Sequence, residues 1–93
     1  MSDLYEAIAA PARRAILDEL LERDGQTLFE ICARLATKHE MGMSRQAVSQ
    51  HLTILEDAGF LTTRREGRCK LHFLDTRPLK QIAERWTVRG DGD

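Results

Sequence analysis

The side chains best suited to specific chemistry lie close together, in the run Ser44-Arg45-Gln46-Ala47-Val48-Ser49-Gln50-His51-Leu52-Thr53. Read as a helix, this run puts Val48, Leu52 and Leu55 on one face and Arg45, Gln46, Ser49, Gln50 and Thr53 on the other. Such a polar face offers what a DNA major groove accepts. The primary amides of Gln46 and Gln50, one turn apart, can pair with adenine edges, and Arg45 can reach guanine or phosphate. Ser44, Ser49 and Thr53 are small enough for close approach and can bond phosphate oxygens. The Ser44 end also turns a helix N-terminus outward, which favours an anion. A second cluster follows at Arg64, Arg65, Arg68 and Lys70, around Gly67. Basic side chains on a hairpin tip can rest against backbone or minor groove, adding affinity that falls steeply with salt. The plain alternative for the helix is a solvated polar face, and Arg64 and Arg65 alternate across their strand, so only one of them turns to a given side.

The elements that must position these groups are legible around them. Leu4 and Ile8 are one turn apart in a short helical stretch, Asp3 to Ala9. Pro11 suits the first turn of a second helix running to about Arg23, with Ala12, Ile16 and Leu20 at i, i+4 spacing and Leu17 and Leu21 beside them. Gly25 stands where a helix C′ glycine is expected. Thr27-Leu28-Phe29-Glu30 fits a capping box and opens a third helix with the stripe Leu28, Ile31, Cys32, Leu35. Thr37 to Met43, with Gly42, reads as a turn. Ser44 then caps a fourth helix, Arg45 to about Ala58, which Gly59 stops. The β-formers on either side of Glu66-Gly67 predict a hairpin over 60–74. Asp75 or Thr76 caps a last helix from Pro78 to about Val88, with the stripe Leu79, Ile82, Ala83, Trp86. The fold class is thus mainly α, with about five helices and one hairpin before the last. Residues 1–88 read as a single domain, and 89–93 as a flexible tail.

With 93 residues, of which 42% are apolar, the chain has room for one domain with a modest core. The net charge of −1 conceals a sign change: 5 basic against 8 acidic residues over 1–43, and 5 against 3 over 44–72. One face is thereby suited to an anion. The N-terminal residues have no basic and apolar signal-peptide pattern, and no run approaches the ~20 apolar residues of a membrane span. Cys32 and Cys69 are too few for a disulfide scaffold, pointing to a reducing compartment, the cytoplasm. No paired carboxylates, nucleophile with base, or phosphate loop suggests an enzyme.

Ser44 to Leu61 carries the pattern Ser-x-x-x-x-Ser-x-His-Leu-x-x-Leu-x-x-Ala-Gly, and with Arg65-Glu66-Gly67-Arg68 and Ala10-Pro11-Ala12-Arg13-Arg14 it resembles the ArsR family of bacterial winged helix-turn-helix repressors. The resemblance covers nearly the whole chain. It implies a homodimer joined through the first and last helices, with two recognition helices on double-stranded operator DNA. The family's metal-sensing Cys-x-Cys would fall on Thr27 and Phe29, and the last helix has no histidine and only Glu84 as an acid, so neither metal site is expected. No cofactor is expected either.

His51 lies between the docking and outer faces of its helix, where a structural role competes with DNA contact. His39 and His72 lack a second ligand at metal spacing and read as structural or solvated. Cys32 reads as a small buried hydrophobe. Cys69, between Arg68 and Lys70, reads as strand filler, with a reactive thiol as the sharper alternative. Two other function classes stay open beside a DNA-binding repressor: a ligand- or thiol-gated sensor of the same fold, and a protein-interaction module that does not touch DNA.

Overall fold

The apolar stripes converge on one core. A computed structural model describes residues 3–86. It contains helices α1 (Leu4–Ala7), α2 (Pro11–Glu22), α3 (Leu28–Lys38) and α4 (Arg45–Asp57), strands β1 (Leu61–Glu66) and β2 (Cys69–Leu74), and helix α5 (Arg77–Arg85). Ile16 and Leu20 of α2, Ile31 and Leu35 of α3, Val48 and Leu55 of α4, and Phe60 are almost entirely removed from water. Each of the three longer helices contributes the face its sequence periodicity marks, so packing fixes the rotation of α4 and turns its polar face outward. Leu21, expected beside the α2 stripe, is instead 73% exposed.

Local signals explain most element ends. The capping box is present: Thr27 Oγ1 accepts from Glu30 N, and Glu30 Oε1 accepts from Thr27 N at 2.9 Å. Gly59, at φ +88, closes α4 in a Schellman motif, with Gly59 N donating to Glu56 O and Phe60 N to Leu55 O. The hairpin turns through Gly67 at φ +61, the positive first position of a II′ turn.

Several boundaries differ from expectation, the first at α1, which ends at Ala7 and not at Ala9. The turn is shorter than 37–43, because Thr37 and Lys38 continue α3. Thr37 Oγ1 donates to Ala33 O four residues back, and Lys38 joins an ion pair with Glu22 of α2. The chain then reverses at Glu40, which takes the left-handed conformation at φ 53, and not at Gly42. α2 stops at Glu22, so Gly25 is not its C′ residue. Gly25, at φ +74, lies beneath the Phe73 ring and delivers Gln26 into a bridge with β2. α5 starts at Arg77 with no side-chain cap from Thr76, while Asp75 accepts from Arg77 N at 3.0 Å. α5 ends at Arg85 with Trp86 as its C-cap, short of the expected Val88, and the expected tail 89–93 lies outside the described residues.

Two buried polar groups tie the elements together. Glu19, 1% exposed, pairs with Arg34, with His39 Nε2 at 2.7 Å and with Lys38 at 3.5 Å. Burial pushes its carboxyl up, but the hydrogen bonds of Arg34 and His39 and the charges of Arg34 and Lys38 win, holding it below the usual range. Gln26 donates to Arg23 O at 2.8 Å and Glu19 O at 3.2 Å, satisfying carbonyls at the end of α2.

Candidate nucleic-acid interface

α4 holds the main group of expected contacts. Ser44, Arg45, Gln46, Ser49, Gln50 and Thr53 are all exposed. Ser44 Oγ accepts from Ala47 N at 3.0 Å, so its lone pair caps the helix while its hydroxyl hydrogen remains available to an acceptor. Thr53 differs: its hydroxyl donates to Ser49 O at 3.1 Å, which leaves it an acceptor unless that bond is given up. No acidic residue occurs from Ser44 to Leu55, so the potential over this helix start favours an anion.

The strand register sorts the basic residues. Thr63 pairs with His72 and Arg65 with Lys70 on one face of the hairpin, while Arg64 pairs with Leu71 on the other. The first face is the one joined to the body. Thr63 Oγ1 donates to Glu56 Oε2 of α4 at 3.4 Å, and buried His72 Nδ1 donates to Gln26 O at 2.9 Å. Arg65 and Lys70 therefore stand on the α4 side, two like charges directly opposite each other. That arrangement weakens the hairpin in isolation and favours an anion between them. Among the described residues, neither they nor Arg68 and Arg45 has a carboxylate within ion-pair distance. Arg64 is engaged elsewhere, bonded to Glu66 Oε2 at 2.8 Å and stacked 4.8 Å over Phe73. A cleft of about 380 Å³ lies between α4 and the hairpin, with Ser49 and Thr53 on one wall and Arg68, Cys69 and Lys70 on the other.

Sequence reasoning missed what holds α4 from its other side. Arg13, in the first turn of α2, donates to Ala7 O at 2.6 Å, to Glu6 O at 3.1 Å and to His51 Nδ1 of α4 at 3.1 Å. A guanidinium only donates, so Nδ1 is the unprotonated nitrogen. Burial and the Arg13 charge push the His51 pKa below its ordinary value, so the ring is neutral at pH 7. Nothing local flags this contact, because its partners are 38 residues apart.

Cys32 is half-buried, and burial pushes its thiol up despite the opposing charge of Arg45, so it is not a ready thiolate. Cys69 is exposed. Among the described residues, no cluster of three or more His, Cys, Asp or Glu could hold a metal ion. No described helix is long and apolar enough to cross a membrane.

An outward polar helix flanked by a basic hairpin defines a winged helix-turn-helix DNA-binding transcriptional regulator. The chain belongs to the ArsR family of these regulators. Residues 8–64 match the family model described as a helix-turn-helix domain. The chain is 41% identical over 83 residues to the uncharacterized HTH-type transcriptional regulator YuzN of Bacillus subtilis (strain 168), covering 89% of this chain and 90% of that one. It is 31% identical over 97 residues to the transcriptional repressor SdpR of the same strain, covering 100% and 99%. Among solved structures, a possible transcriptional regulator for arsenical resistance superposes with a TM-score of 0.77 at 33% identity, over 91% of this chain and 81% of that one. The ArsR family transcriptional regulator RHA00566 superposes at 0.72 with 29% identity, over 89% and 82%.

Proposed function

We propose that this chain is a repressor that binds operator DNA as a homodimer, each protomer a single domain over 1–88. Helix 44–58 enters the major groove and the wing 62–72 lies along the flanking backbone. Gln46, Gln50 and Arg45 read base edges, while Ser44, Ser49 and Thr53 approach phosphates or bases. Arg65, Arg68 and Lys70 contact backbone, and Arg64 joins them only by leaving Glu66. The observation that carries the reading is the outer face of α4, free of acidic residues from Ser44 to Leu55, beside cations that no carboxylate among the described residues neutralises. Repression is supported by the likeness to SdpR.

Dimerisation through the first and last helices is supported by where α1 and α5 meet. Arg85 donates to Tyr5 Oη at 3.2 Å, and the Tyr5 and Trp86 rings lie 5.6 Å apart, with Trp86 65% exposed. A neighbouring apolar cleft of about 230 Å³ runs between Ile8, Leu17, Leu21, Leu74 and Leu79. Exposed apolar surface of this kind is better covered by a second copy than by water.

The test is selection of duplexes from a random library by the purified chain, then binding to the selected site and to random DNA at two salt concentrations. Recovery of a two-fold symmetric site with salt-sensitive affinity is expected. Failure to enrich any sequence at low salt overturns the proposal and favours a protein-interaction module.

A further inference from the structure

From the contacts of Arg13 we infer that it is a positioning residue for DNA reading: it sets the rotation of α4 about its own axis by docking on His51. The inference rests on α4 being the reading helix and concerns a residue that touches no DNA.

Successive residues turn by about 100° around a helix, so His51 lies on one border of the buried stripe and the Ser49–Glu56 edge on the other. The second border is restrained by Glu56, which accepts from Thr63 of the wing. The first border is restrained by Arg13 alone among the polar contacts described. Arg13 is itself immobilised, because its other two bonds go to carbonyls at the end of α1: Ala7 O, and Glu6 O, which also accepts from Ala9 N at 3.1 Å. Arg14 does the same for Ile8 O and Ala9 O, at 2.7 and 2.9 Å, but reaches nothing on α4. Arg13 thus ties α1 to the border of α4 opposite the wing.

Side-chain tips stand roughly 5–6 Å from a helix axis, so a turn of about 10° displaces them by about 1 Å. That exceeds the tolerance of a bidentate amide–adenine pair, whereas a charge facing phosphate tolerates it. Loss of the Arg13–His51 bond therefore degrades sequence preference more than total affinity.

The experiment compares His51→Phe, His51→Asn and Arg13→Met with the unsubstituted chain. Its readout is the ratio of affinities for the library-selected site and for random duplex, with thermal unfolding recorded for each variant. His51→Phe removes the acceptor but leaves Arg13 on α1. It should lower the ratio about tenfold or more, with binding to random DNA nearly unchanged. His51→Asn, whose amide oxygen can stand where Nδ1 stood, should restore most of the ratio. Arg13→Met should lower the ratio as His51→Phe does, and the double variant should add little. An unchanged ratio in His51→Phe overturns the inference. So does an equal loss on both DNAs, which would make His51 a phosphate contact. If the unsubstituted chain selects no site, the reading assigned to α4 fails instead.

Discussion

At the scale of single residues, the structure separates groups that the sequence presents as alike. Gln46 and Gln50 are both exposed amides on α4, and Gln50→Ala should cost about 1–3 kcal/mol at the selected site and broaden the sequences bound, read by competition with base-substituted duplexes. Gln26, another glutamine, is fully buried and works as a helix cap. Helical periodicity marks Gln46 and Gln50 as outward, whereas nothing local marks Gln26 as buried, because its burial is set by tertiary position. Gly25 was legible as a residue that had to be glycine, though for another reason than helix termination. A Cβ there would stand 2.9 Å from the Phe73 ring, on backbone at φ +74. Gly25→Ala should therefore destabilise the fold by about 1–3 kcal/mol in urea unfolding, through strain and overpacking together.

At the scale of elements, the helices and the wing were readable because periodicity, caps and turn glycines agree with one another. α4 shows this best: Ser44 caps it, Val48, Leu52 and Leu55 dock it, and Gly59 ends it. The loop before it was less legible. Glu40 takes a conformation that usually selects glycine or asparagine, while Gly42, the obvious breaker, has a negative or extended φ. The wing shows a conflict between stability and binding. Arg65 and Lys70 oppose each other across the strands, so Lys70→Gln should leave unfolding unchanged or raise stability by a few tenths of a kcal/mol. The same substitution should weaken selected and random DNA alike and reduce the salt slope by about one. A slope that stays put would remove Lys70 from the backbone contacts.

At the scale of the whole molecule, the ionic groups that join α2 to α3 make stability depend on acid. Glu19 sits below its ordinary 4.5, and the Arg77 side-chain and backbone hydrogen bonds hold Asp75 down at about 2 against an ordinary 3.8. Both carboxyls bind protons more readily when the chain is unfolded. Their contribution is complete above about pH 4.5 and is lost as pH falls through the depressed values towards 2. His51, also depressed, adds a loss that begins as pH drops below its ordinary 6.5. Urea midpoints at pH 7, 5 and 3 should fall in that order, and Glu19→Gln should flatten the step between 5 and 3 while lowering the value at 7. None of this was visible in sequence, where Glu19 reads as one more charge on an amphipathic helix. The bridge from Gln26 to His72 has a mechanical meaning as well. It clamps the hairpin at its root, so the wing behaves as a cantilever whose overhang runs from His72 to the turn at Gly67. One residue pair added to that overhang would lengthen it by about 3.4 Å and swap its faces, carrying Arg65 and Lys70 away from α4. Two pairs would restore the faces but set the cations about 7 Å further out. The clamped length thus fixes how far from α4 the wing cations stand, which in the proposed complex sets the reach of the wing along the DNA backbone.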